Sequence, residues 1–175
     1  MTTRQMTLTA MLTALLCLLG PLTLPLGPVP LSLTTALLML MGLLLGGGRA
    51  ALCCAVYLLM GLAGLPVFSG FTGGAGALLG PTGGFLLGYL PMTALCGFVC
   101  ARQEHRLVQL GALLAGTALL YLIGTAWYCW QSGAEASAAL AVCVLPFLPG
   151  DAVKIIAVLT GGNAVKRRLR KAGLV

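Results

Sequence analysis

Charge is what this chain has least of. Only 7% of its 175 residues are charged, three of them acidic, and there is a single histidine. Uncharged runs cover residues 5–48, 50–101 and 107–134, which no water-soluble core of this size requires. With 59% hydrophobic residues and a mean hydropathy of +1.06, the composition is that of a protein that crosses a bilayer several times. A secretory leader would be followed by a polar mature domain. Here the apolar character continues to about residue 165, so the first apolar segment is expected to stay in the mature chain.

The scarcity of reactive groups excludes most chemistry. The three carboxylates, Glu104, Glu135 and Asp151, are dispersed, and His105 falls on a loop, so no nucleophile, base or paired-carboxylate arrangement is in sight and no enzyme is expected. No GxxxxGK[ST] is present and no GxGxxG opens a soluble βαβ unit, so any ATP hydrolysis belongs to a partner. The seven cysteines lie within or beside apolar segments without a CxxC pair and read as small buried hydrophobes. Cys96 and Cys100 share a helix face, but two thiols without further ligands make a poor zinc site, and no metal or cofactor is expected. The net charge of +7 does not point to nucleic acid, because no basic face is interleaved with exposed aromatics.

What is present is a set of apolar spans, at residues 5–19, 32–46, 49–64, 82–101, 107–127 and 151–165, with a short helix at 137–145 near one membrane face. The expectation is one all-α membrane domain over residues 1–175 with six transmembrane helices and a basic tail at 166–175. Nine of the ten basic residues, Arg4, Arg49, Arg102, Arg106 and the five of the tail, fall on one side of this arrangement. The opposite loops, near 20–31, 65–81 and 128–150, carry none, which places both termini in the cytoplasm. Trp127, Tyr128 and Trp130 then form an aromatic belt at the outer end of the fifth span.

The tenth cation is the exception. Lys154 lies on the sixth span, about 18 Å above its cytoplasmic end, with Asp151 at about 22 Å, both inside a hydrocarbon core of ~30 Å. Charges at that depth cost several kcal/mol and usually pair, line a cavity or mark a substrate path. The i, i+3 spacing lets the two side chains meet on one helix face. Two readings fit: Asp151 caps the helix begun after Pro149-Gly150 with Lys154 neutralising it, or the pair serves a ligand with both donors and acceptors. The outer loops favour a ligand. "GPLTLPLGPVPLS" (20–32) is proline-rich and uncharged, and "GLPVFSGFTGGAGALLGPTGG" (64–84) offers backbone N–H and C=O groups to anything beneath it.

Four stretches in order, "GPVPLSLTTALLMLMGLLLG" (27–46), "YLLMGLAGLPVF" (57–68), "LLGPTGGFLLGYL" (78–90) and "LPFLPGDAVK" (145–154), closely resemble the BioY family over nearly the whole chain. These are the biotin-binding subunits (S components) of energy-coupling-factor (ECF) vitamin transporters. The resemblance implies a six-helix plasma-membrane subunit of a prokaryote that takes up biotin from outside, with a transmembrane coupling protein and a pair of cytoplasmic ATPases as partners. It implies that Asp151 and Lys154 are the polar ligands of biotin. It also implies that the loop containing Phe71, Gly73 and Gly74 contributes backbone and lid contacts. Thr34 stands where members often carry glutamine, a departure from the pattern. Tyr89 and Tyr121 are candidates to flank the apolar rings, ordinary packing being the alternative. Ala10 and Ala14, one turn apart in "TAMLTALLCLLG", form an AxxxA face like the one by which these subunits dock on their coupling protein, with internal packing as the alternative. A subunit for another vitamin-sized ligand would share this architecture, and a non-catalytic structural membrane subunit would leave the Asp151/Lys154 pair unexplained.

Overall fold

The computed structural model describes residues 3–24 and 31–173; residues 25–30, the middle of the proline-rich stretch, lie outside the described residues. Helix α1 (Thr3–Leu19) leads into a two-residue ribbon, β1 (Thr23–Leu24) paired antiparallel with β2 (Leu31–Ser32). There follow α2 (Thr34–Leu45), α3 (Gly47–Leu62), the short α4 (Ala75–Leu79), α5 (Gly83–Arg102) and α6 (Arg106–Ser132). Then come α7 (Ala136–Cys143), α8 (Leu148–Ala157) and α9 (Asn163–Lys171). A π-helical segment over Val158–Gly162 joins α8 to α9 without a break. The fold is all-helical apart from the ribbon.

By length and composition α5 and α6 can each cross a membrane, and a third crossing results if α7 and the α8–α9 helix, bent by 46°, count as one. Helices α1, α2 and α3 are apolar but have 17, 12 and 16 residues, short of the ~20 that a straight crossing takes.

Three boundaries differ from the sequence expectation by three residues or more. The fifth apolar helix does not end at Trp127 but runs to Ser132, because the first residue that stops it is Gly133. Gly133 takes a left-handed φ of 67° and donates its N–H to the Cys129 carbonyl, a common helix ending. The last helix begins at Leu148 rather than Asp151, since proline in the first turn has its φ already set for a helix and needs no donor there. At its other end the basic stretch 166–171 is not a separate tail but continues the helix as α9.

Helix α5 is the hub, packed on α6, α3 and α2. Without polar side chains to bond across, apolar helices associate by close backbone approach, and glycine makes that possible. A Cβ on Gly97 of α5 would lie 2.6 Å from the Cα of Gly47 in α3, and one on Gly124 of α6 would lie 2.4 Å from the Phe85 ring. Five cysteines are buried and Cys17 and Cys129 half-buried. Their thiols act as weak donors to backbone, Cys96 to the Ala112 carbonyl at 3.6 Å and Cys53 to that of Thr9 at 3.6 Å.

Candidate functional site

The start of α8 brings both charges of the apolar interior to one place. Asp151 stands in the first turn, where the positive helix end favours a carboxylate, and Lys154 stands one turn on. Both are nearly buried, at 5% and 9% exposure. Lys154 Nζ donates to Asp151 Oδ1 at 2.8 Å. The carboxylate does not cap the helix: Phe147 occupies the cap position, no side-chain cap bond is made, and Asp151 contributes its backbone N–H to the Phe147 carbonyl.

Two further helices complete the arrangement. The Tyr121 hydroxyl of α6 donates to Asp151 Oδ2, and Lys154 Nζ donates a second time, to Thr35 Oγ1 of α2 at 3.1 Å. A buried ion pair is stabilising only when its remaining lone pairs and protons are bonded, and the two hydroxyls do this. The result is a neutral cluster of one cation, one carboxylate and two hydroxyls, drawn from three helices.

The cluster forms one wall of a cavity of about 240 Å³. Phe85, Leu86 and Tyr89 of α5 and Leu120 of α6 supply apolar surface, with Phe147 and Cys143 at the turn before α8. Ser32 and Thr82 add hydroxyls, and the 65–79 segment covers the space with Phe68, Ser69, Thr72 and Ala77. A concave, mostly apolar space with a few convergent polar groups is the usual form of a small-molecule site.

The covering segment is tied down at both ends. Tyr57 Oη donates to the Val67 carbonyl at 3.0 Å and its ring meets Phe68 edge to face at 5.5 Å. Phe68 packs directly on Gly61, where a Cβ would lie 2.0 Å from its Cζ. The Gly70 N–H reaches the Pro21 carbonyl, which links this segment to the first outer loop. At the far end Trp127 Nε1 donates to the Gly80 carbonyl at 3.0 Å and Gln131 Nε2 to that of Leu79 at 2.7 Å. The aromatic end of α6 thus holds the cover.

Of the residues singled out in the sequence, Asp151, Lys154, Tyr89 and Tyr121 come together on the cavity wall. Tyr121 is there as a hydrogen-bond partner of the carboxylate. Phe71, Gly73 and Gly74 are placed beside the cavity and not on its wall. Phe71 is 64% exposed, with a φ of 60°, and Gly74 donates its N–H to the Gly61 carbonyl at 2.7 Å, closing the loop onto the end of α3. A Cβ on Gly73 would lie 2.3 Å from the Leu65 carbonyl oxygen. Ala10 and Ala14 are exposed on α1, flanking the face that buries Thr9, Thr13 and Leu16. Thr34, the departure noted above, is fully buried and donates to the Gly20 carbonyl at 3.4 Å, while its neighbour Thr35 reaches Lys154. Sequence reasoning missed Thr35, Phe68 and Phe147. The adjacent threonines after the proline-rich loop are the one signal that marked the first of these.

Comparison with known proteins places the sequence and the fold among relatives. The model of the BioY family matches residues 1–171. The chain is 34% identical over 166 residues to the biotin transporter BioY2 of Lactococcus lactis subsp. cremoris, covering 94% of this chain and 91% of that one. It is 33% identical over 153 residues to the biotin transporter BioY of Thermotoga maritima, covering 87% and 90%. It also superimposes, with a TM-score of 0.86 and 32% identity over 98% of this chain and 95% of the other, on the 2.1 Å crystal structure of the S-component for biotin from an ECF-type ABC transporter. The helical order, the covered cavity and these likenesses lead to one conclusion: this chain belongs to the BioY family.

Proposed function

We propose that this protein is the biotin-binding S component of an ECF-type vitamin uptake transporter. It captures biotin from outside with high affinity and passes it inward with a transmembrane coupling protein and a pair of cytoplasmic ATPases. The observation that carries the reading is the neutral Asp151–Lys154–Tyr121–Thr35 cluster on the wall of a cavity that carries no other charge. Biotin combines a ureido ring, with two N–H donors and one carbonyl acceptor, an apolar thioether ring and a carboxylate tail. Asp151 retains lone pairs beyond the two it uses with Lys154 and Tyr121, so it can accept from ureido N–H groups. Lys154 has three N–H donors, of which Asp151 and Thr35 engage two, so one is left for a ligand oxygen. Tyr89 lies against the apolar part of the ligand. Phe71, Gly73 and Gly74 belong to the cover that opens for entry.

In this reading the subunit is a multi-pass protein of a prokaryotic plasma membrane and has no catalytic role. The short helices α1, α2 and α3 cross with the help of their flanking turns, giving six crossings. Both termini are cytoplasmic, as the distribution of Lys and Arg favours. The exposed Ala10/Ala14 face of α1 is where the coupling protein docks. The identity of the ligand is tested by extracting the protein in detergent and analysing what copurifies. Biotin at near-stoichiometric amounts is the expected result, and a different vitamin in its place contradicts the proposal.

A further inference from the structure

Nine of the ten basic residues lie toward the end of the bundle opposite the cavity, and of the three acidic residues in the chain only Glu104 stands with them. This charge is not spread evenly. A cleft of about 380 Å³ opens between the 103–105 loop, the start of α6 and the α9 helix, lined by Arg106, Lys166, Arg167 and Arg170 together with Glu104. Its lining carries four cations against one carboxylate. Arg168 and Lys171 of the same helix are not part of it.

The cleft has a built floor. Gln109 is fully buried; its Nε2 donates to the Gln103 carbonyl at 2.8 Å and its Oε1 accepts from Asn163 Nδ2 at 2.8 Å. Lys166 is half-buried and donates to the Cys100 carbonyl at 2.9 Å. Among the described residues the ion pairs are Lys154–Asp151 and Arg170–Glu104, so Arg106 and Arg167 face the cleft without a carboxylate. Charges that serve only to orient a helix need no shared cleft and no polar floor. Among the described residues no other acidic side chain lies at this end to neutralise these, which leaves them open to a counter-charge from outside.

Its depth identifies the source. Arg106 opens α6 and Trp127 lies 21 residues further along the same helix, a rise of about 31 Å, close to the ~30 Å thickness of bilayer hydrocarbon. With the aromatic end of α6 at one interface, the cleft stands at headgroup level on the other. Guanidinium forks match phosphate oxygens two at a time, the positive end of α6 adds to the attraction, and basic pockets between helices on the cytoplasmic side hold anionic headgroups. We infer that this cleft binds the phosphate group of an anionic lipid of the cytoplasmic leaflet. Arg106 and Arg167 contact the phosphate directly, and Lys166 and Arg170 border it. Glu104, which already holds Arg170 on the exposed rim, competes with the lipid for that guanidinium.

The test uses the full chain, purified and delipidated in detergent micelles, with radiolabelled phosphatidylglycerol or phosphatidylcholine as probe. The wild type should retain phosphatidylglycerol in preference to phosphatidylcholine. Arg106→Gln with Arg167→Gln should lower that retention by about tenfold or more. Arg168→Gln with Lys171→Gln, an equal loss of charge off the cleft, should leave it within about twofold, and Glu104→Gln should strengthen it. Equal loss in the two double variants, no preference between the lipids, or displacement of the lipid by a few millimolar inorganic phosphate would overturn the inference. So would a cleft variant that keeps the lipid but no longer assembles with the coupling protein, since the cleft would then be a protein-docking surface. Biotin binding, measured on the same samples at the opposite end of the molecule, shows that each variant is folded. It also separates failure here from failure of the proposed function.

Discussion

Lys154 Nζ lies 3.1 Å from Thr35 Oγ1, although 119 residues separate the two. The contact ties α8 to α2 on the wall of the space in which the ligand is proposed to bind. A hydrogen bond to a buried charged group contributes more than one between neutral groups, and losing the acceptor leaves an ammonium proton unsatisfied. Thr35→Val should therefore weaken biotin binding by about tenfold or more, measured by calorimetric titration, while Thr35→Ser keeps the hydroxyl and should retain most of the affinity. Equal affinities in Val and Ser variants would mean that the hydroxyl does not position the lysine.

Gly61 makes room for Phe68. A Cβ there would lie 2.0 Å from the Phe68 ring, which Tyr57 also holds from the side. Gly61→Ala must therefore push Phe68 off the cavity wall or strain the end of α3, an overpacking cost of typically ~1–3 kcal/mol. The expected outcome is a lower thermal midpoint together with weaker biotin binding. An unchanged midpoint and affinity would show that the cover adjusts freely and that Phe68 is not fixed by this contact.

Much of this arrangement was legible in the sequence. Long uncharged runs locate the helices, and the i, i+3 placement of Asp151 and Lys154 marks the one pair of charges inside them. Thr35 could not be found in this way, because an ordinary hydroxyl at a helix start carries no periodic signal and its partner is remote in sequence. Phe68 and Phe147 are two apolar residues among many, and only packing distinguishes a cavity wall from a core. The end of α6 was misjudged because Trp127 and Tyr128 look like interface residues. Both lie on a helix that continues until Gly133. The glycines at 73 and 74 enter as backbone and lid contacts through the family resemblance, and in the structure the Gly74 N–H and the missing Gly73 side chain let the loop close on α3 and Leu65.

On α1, Ala10 and Ala14 are exposed, flanking the face that buries Thr9, Thr13 and Leu16. Bulk added at the two exposed alanines therefore disturbs little of the core. Ala10→Trp and Ala14→Trp should leave the thermal midpoint and biotin affinity close to wild type while abolishing copurification with the coupling protein and ATP-driven uptake. Loss of biotin binding in either variant would mean that this face packs internally.

At the cytoplasmic end, the hydrogen bond and charge of Arg170 hold the Glu104 carboxyl below the usual carboxylate range. A depressed folded-state value means that the pair's contribution is present above the unfolded value, ~4.3 for glutamate, and is lost as pH falls through the lower folded value. Both groups are exposed and the pair is screened by salt. Carbon-13 NMR of labelled glutamate should show the Glu104 midpoint moving upward in Arg170→Gln and in high salt. A midpoint that stays in place in both would mean that Arg170 is not its cause.

The central claim is that the charge pair at the start of α8 holds biotin. Asp151→Asn and Lys154→Met each remove one partner and leave the other poorly compensated, which typically costs ~2–5 kcal/mol, or roughly 30-fold to several thousandfold in affinity. The most direct measurement is calorimetric titration of biotin into the purified wild type and the two variants, each checked for correct membrane insertion. Tight binding by the wild type with loss of most of it in both variants is the predicted result. Wild-type affinity in either correctly inserted variant, or no binding by the wild type itself, would contradict the account.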